Sequence, residues 1–145
     1  MAITSAICTS FKQELLVGTH NFTATTGNTF KIALYTSSAT LGAGTTAFST
    51  SNEITNSSGT AYTSGGATLT SVTPTTDSTT AVCDFADVSF TSASFTANGA
   101  LIYNSSQSNK AVAAIAFGGD KTVSSGTFTI QFPTADATNA IIRLA

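Results

Sequence analysis

Hydrophobic and polar positions along this chain follow two periods. Near the start, Ile7, Phe11 and Leu15 recur every four residues while Lys12 and Gln13 face away, as on one face of a helix. Ser10 followed by Gln13 has the spacing of a capping box, and Gly18 stands where a helix closes. A short helix is therefore predicted over residues 10–17. Two turns do not persist alone, so this helix must dock on something larger. From residue 29 the period drops to two. In "TFKIALY", Phe30, Ile32 and Leu34 alternate with Lys31, Ala33 and Tyr35, the pattern of a half-buried strand. "TFTIQF" repeats it with Phe128, Ile130 and Phe132, and Pro133 ends the ladder because it has no N–H to donate. "AVCDFADVSF", "ASFTANGALIY", "GATLTSVT" and "AIIRLA" read as further strands, and "KAVAAIAF", apolar on both faces, as a central one. The sum predicts an all-β fold of seven to nine strands, an antiparallel β-sandwich or jelly roll with one short N-terminal helix. Residues 1–18 form an arm and helix, and 19–145 the sandwich of a single domain.

"KIALYTSS" at 31–38 and "GALIYNSS" at 99–106 both run from apolar residues through a tyrosine into small hydroxyl or amide residues. The likeness is too short for a repeat architecture, which needs roughly twenty residues or more of self-similarity. Each reads instead as a core strand leaving its sheet at a polar turn. Segment 36–66 is weakly patterned and reads as an extended loop or hairpin that contacts something else. Asp77 in "TTDST" and Asp120 in "GGDKT" have turn settings.

Composition narrows the function classes. A chain of 145 residues can bury roughly two-thirds of its unfolded surface and needs neither metal nor disulfide to fold. Charged residues are 8% of it, against about 25% in an ordinary soluble domain. About a third of the residues are Ser or Thr, so polarity is carried by neutral hydroxyls. Apolar content of 41% argues against disorder. A net charge of −2 gives copies little mutual repulsion, a surface better suited to an assembly than to solitary life. The five cations (Lys12, Lys31, Lys110, Lys121, Arg143) are scattered, whereas nucleic-acid binding needs a stripe of them. No apolar run approaches a membrane span, so no membrane partner is expected. The opening "MAITSAICTSFKQELL" lacks the basic and apolar regions of a secretory signal. Assembly in a cytoplasm is the expectation, with Cys8 and Cys83 as two buried thiols.

Candidate chemistry is sparse. His20, the single histidine, has no partner set for a triad or a metal site and reads as bonded to backbone carbonyls near the helix end. Asp84 and Asp87 in "DFAD" suggest calcium, but an odd spacing puts them on opposite faces of one strand. The alternative is a kink, with each carboxylate capping a turn or facing solvent. No G-x-S-x-G elbow or S-x-x-K motif is present, and "GAGTT" lacks the lysine of a phosphate loop. N-x-S/T triplets at Asn21, Asn56 and Asn104 carry no glycosylation without secretion. Tyr35, Tyr62 and Tyr103 are the candidates for a sugar-stacking platform, although a tyrosine at a strand end can equally bury its ring and wet its hydroxyl. The expectation is no enzyme, no cofactor and no metal.

Five blocks, "SFKQELLVGTHNF", "TFKIALYTSSATLGAGTTAFSTSNEI", "DFADVSFTSASFTANGALIYNSS", "NKAVAAIAFGGDKT" and "GTFTIQFPTADATNAIIRLA", together resemble small all-β virion proteins of tailed bacteriophages, including those of cyanobacteria and marine bacteria. The resemblance covers nearly the whole chain. It implies a structural part used in many copies on the virion, and a capsid decoration (cement) protein fits best. Such a protein binds the outside of the major capsid protein shell, as a homo-oligomer with a trimer favoured. The expected contact residues are Ile3, Ile7, Phe11 and Leu15 in the arm and helix, which either the capsid or the chain's own sandwich must cover. Phe48 and Tyr62 in segment 36–66 are expected at subunit contacts. The rival readings are a tail, neck or fibre-associated virion protein, and a receptor- or glycan-binding module.

Overall fold

In a computed structural model of the chain, which describes residues 2–55 and 61–145, two antiparallel sheets pack together with one helix against them. In chain order the elements are β1 (Ala6–Ile7), α1 (Thr9–Leu16), β2 (Phe30–Tyr35), β3 (Ala67–Thr68), β4 (Ser71–Asp77), β5 (Thr80–Phe85), β6 (Val88–Asn104), β7 (Lys110–Ile130) and β8 (Ile142–Leu144). The larger sheet has the order β1-β7-β6-β2-β3 and the smaller β4-β5-β8. The all-β sandwich with a short N-terminal helix is thus the observed architecture, with eight strands among the described residues.

The helix begins earlier than the capping-box spacing predicts. Cys8 is the N-cap and makes no side-chain cap, while Ser10 lies within the first turn with its buried Oγ unpartnered. The β1–β7 ladder sets this start: Cys8 N–H donates to Val112 O at 2.9 Å, one step beyond the Ile7↔Ala113 pair. A ladder held by tertiary pairing overrides a local cap signal worth about 1 kcal/mol. The helix end follows the sequence. Gly18 adopts φ 78°, its N–H reaches Leu15 O at 3.2 Å, and Thr19 N–H reaches Glu14 O at 3.0 Å. That pair of bonds is a Schellman closure, which a residue with a Cβ would strain.

The spine is the β6–β7 hairpin, of 17 and 21 residues. At roughly 3.3 Å per residue such strands outrun a small core unless they bend. They bend at four register shifts, so Phe90, Ala93, Phe95 and Ala97 all turn inward. The largest lies between the pairs Ala97↔Lys121 and Gly99↔Ala116, where Asn98 alone faces Phe117, Gly118, Gly119 and Asp120. "GGDKT", expected as a turn between two strands, is therefore a bulge within one. Asp120 Oδ1 closes it by accepting from Asn98 Nδ2 at 2.9 Å.

β2 also departs from expectation. Its alternation suggests one wet face, yet five of its six residues are buried and Lys31 is half-buried. One face packs on the aromatic cluster beneath the smaller sheet, where Phe30 stacks on Phe22 with ring centroids 4.3 Å apart and meets Phe85 of β5. The face that carries Tyr35 and, across the ladder, Tyr103 is covered by residues of 36–55 and 61–66, among them the buried Ala39, Leu41 and Ile54. This segment also seals the outer edge of β2. Ile54 N–H donates to Leu34 O at 2.9 Å, and Leu34 N–H donates to Tyr62 Oη at 3.0 Å. Backbone groups left bare there would offer a pairing site to other chains.

Gly66 marks the closest approach of this cover to β2. It holds φ 79°, and a Cβ there would collide with the Ile32 carbonyl. Gly66→Ala should lower unfolding free energy by about 3 kcal/mol or more through strain and overpacking. Gly44→Ala, which meets open space, should change it by no more than about 0.5 kcal/mol. Urea midpoints of the two variants check this, and equal losses would contradict it.

Candidate functional site

Of the side chains that sequence alone offers as chemistry, the three tyrosines and His20 enter two clasps, each built on a buried glutamate. The first centres on Glu53, a buried residue of the covering segment itself. Its Oε1 accepts from Tyr62 Oη at 2.7 Å and Gly65 N–H at 2.6 Å, and its Oε2 accepts from Ser64 Oγ at 2.9 Å. Tyr103 Oη donates to Gly65 O at 2.6 Å, and Tyr35 Oη to Ser49 O at 2.7 Å. All three tyrosines thus bury their rings and spend their hydroxyls on this segment. Burial pushes the Tyr103 hydroxyl up to about 12, and the Tyr35 and Tyr62 hydroxyls further upward, so all three remain donors. With each ring at most 2% exposed, none presents a face to a sugar, and the tyrosine platform is overturned.

The second clasp joins α1 to the turn of the β6–β7 hairpin. Glu14 Oε2 pairs with Lys110 Nζ at 2.9 Å, and its Oε1 lies 3.6 Å from His20 Nε2. Asn104 Nδ2 lies 3.0 Å from His20 Nδ1 and also donates to Asn28 Oδ1 at 2.9 Å. An amide nitrogen can only donate, so Nδ1 is the bare nitrogen and Nε2 carries the hydrogen toward Glu14. His20 therefore bonds side chains, not the backbone carbonyls expected of it. Burial among Phe11, Phe22 and Phe30 lowers its pKa, and the nearby Glu14 carboxylate opposes that shift. The ring is neutral at pH 7.

The remaining reactive groups are likewise held by the fold. Asp84 Oδ1 accepts from Phe85 N–H and Asp87 Oδ1 from Phe132 N–H, each at 2.8 Å. Asp77 takes Ala137 N–H, and Asp136, half-buried, is held below the usual carboxylate range by bonds from Thr138 and Asn139. Burial pushes the Cys8 thiol up to about 11 and the Cys83 thiol up to about 12, which keeps both protonated. Among the described residues no group of three or more His, Cys, Asp or Glu side chains could hold a metal ion, and no helix is long and apolar enough to cross a membrane. The Asn56 triplet lies outside the described residues.

The expected contact residues are largely covered by the chain itself. Ile3, Phe11 and Tyr62 are buried, and Ile7, Leu15 and Phe48 are partly buried against the core, with the Phe48 ring stacked on Tyr103 at 4.6 Å. Beside Phe11 and Leu15 a groove of about 690 Å³ lies open between α1 and β8. Phe11, Leu15 and Leu16 line one wall and Ile141, Ile142 and Leu144 the other. Leu16 is 88% and Leu144 57% exposed, and Val17 beside it is 67% exposed. The helical period already places Leu16 and Val17 off the buried stripe, a signal that was legible. Glu14 falls within that stripe, so its burial was also readable. Comparison with protein-family models, with curated proteins and with solved structures finds no match for the chain.

Tyr62→Phe should cost about 1–3 kcal/mol, because Leu34 N–H loses its buried acceptor and Glu53 a donor. Equilibrium urea unfolding checks it, and a loss below a few tenths would contradict it. For His20 the sign is also fixed. The unfolded ring titrates near 6.5 and the folded ring lower. The stabilisation is complete above that value and is lost as pH falls from it toward the folded pKa. Thermal midpoints should drop between pH 7 and pH 5.5, and His20→Gln should flatten that drop. A variant with the parent's slope would contradict this.

Proposed function

We propose that this chain is a capsid decoration (cement) protein, which binds the outer surface of a phage's major capsid protein shell and stabilises it. The observation that supports the reading is where the charge goes. Each of the seven carboxylates, at Glu14, Glu53, Asp77, Asp84, Asp87, Asp120 and Asp136, is engaged with a partner in the fold. The single histidine is buried and neutral, and both thiols are buried. Residues that could attack, protonate or coordinate are spent on holding shape, which leaves a rigid body coated in neutral hydroxyls. The resemblance of its sequence blocks to small all-β virion proteins points the same way.

Physically, such a body acts by adhesion. A specific contact needs roughly 1,000 Å² of buried surface, and unpaired charges are costly to desolvate in it. Few free charges lower that cost. Repetition over a symmetric shell, with the chain as a trimer on the exterior, multiplies a modest affinity by avidity. The copy number in purified particles separates this function from a tail, neck or fibre role. Gel densitometry against the major capsid protein should give on the order of hundreds of copies, far above the dozen or so of a tail component. Particles lacking the chain should release DNA at lower temperature than complete ones. A copy number at tail level, or unchanged heat release, would count against the shell reading.

A further inference from the structure

We propose that the open edge of β8 and the groove beside α1 receive an extended segment of a partner chain, apolar at alternate positions and bearing a carboxylate. The first ground is the imbalance of the sheets. The smaller one has three strands, and β8 is its last, paired to β5 through Ala81↔Leu144, Val82↔Arg143 and Cys83↔Ile142. Its other edge has no backbone partner among the described residues. Other edges are blunted. β3 is two residues long, β4 carries Pro74 and a register shift, and the long edge of β7 is broken by the bulge at Gly118–Gly119 and carries Lys121.

The second ground is the apolar floor. Among the described residues four large hydrophobic side chains are exposed, and three of them, Leu16, Val17 and Leu144, lie on or next to this groove. A strand added at β8 would set alternate side chains down onto them, the arrangement by which sheet-edge addition combines main-chain bonds with side-chain pockets.

Charge decides the occupant. Lys12 and Arg143 are the charged residues lining the groove, and no carboxylate lines it. Among the described residues Lys12 makes no ion pair, and Arg143 Nη1 donates to the neutral Ala137 carbonyl at 2.8 Å. In a chain of net charge −2 whose carboxylates are all engaged, these two cations over an apolar floor complement an acidic, apolar strand. A three-residue edge offers few hydrogen bonds, so a single contact is weak and gains strength by repetition. The inference stands whether or not the partner belongs to a capsid shell.

The test titrates the full chain with a fluorescent nine-residue peptide of alternating valine and glutamate. Two controls accompany it, one with lysine for glutamate and one N-methylated at alternate amides. The glutamate peptide should bind at least about tenfold more tightly than either control. Lys12→Glu, a change at an exposed position that leaves Arg143 facing one new carboxylate, should erase the preference between glutamate and lysine, and Leu144→Asp should weaken both. Amide NMR shifts should be confined to α1 and β8. Equal binding of the three peptides, no binding at about 1 mM, or shifts elsewhere would overturn the proposal.

Discussion

A sheet that is apolar on both faces must be covered twice, and this constraint organises the rest of the molecule. In β2 and the adjoining part of β6, Ile32, Ala33, Leu34, Leu101 and Ile102 are all fully buried. The smaller sheet and the Phe22–Phe30–Phe85 cluster cover one side. The other is covered by residues 36–55 and 61–66, which contribute no strand to either sheet. An irregular cover carries backbone groups that need partners, because each buried unpaired one costs about 1–3 kcal/mol. Tyr35, Tyr62, Tyr103 and Glu53 supply many of them. The tyrosine that ends each apolar run is thus an anchor, reaching from the strand to pin the cover.

The same economy explains how little chemistry is left over. A buried carboxylate is tolerable when several donors surround it, and Glu53 has three. Glu14 instead has Lys110 on one oxygen and the His20 ring near the other, which ties α1 to the hairpin turn across the core. Removing Lys110 would strand the buried Glu14 carboxylate, so the network is costly to lose even where its net contribution is small. A chain with only twelve charged side chains, two of them buried and its carboxylates engaged within the fold, keeps a surface governed by hydroxyls and shape.

Much of the fold was legible because it follows period. The alternation of Phe30, Ile32 and Leu34, the four-residue stripe of Phe11 and Leu15, and the Gly18 closure all appear where the pattern puts them. What escaped depends on partners distant in sequence. "GGDKT" has turn composition, yet pairing with β6 on both sides keeps β7 continuous through it. Ser10 has capping spacing, yet the ladder between β1 and β7 starts the helix at Thr9. The clasps were harder still. Glu53 to Gly65 spans a weakly patterned stretch, and His20 to Asn104 joins residues 84 apart, which no local rule connects. The open groove was half-visible, since Leu16 and Val17 stand outside the helical stripe, but its second wall belongs to β8.

The central claim is that residues 36–55 and 61–66 act as a fixed third layer and not as a loose loop. Native-state hydrogen exchange at single amides tests it most directly. The account predicts that Leu34, Ile54 and Gly65 exchange with protection close to that of Leu101 and Ile102 in β6, because opening them requires releasing the clasp. Exchange of Ile54 and Gly65 at rates near those of exposed loops, with β6 still protected, would contradict it.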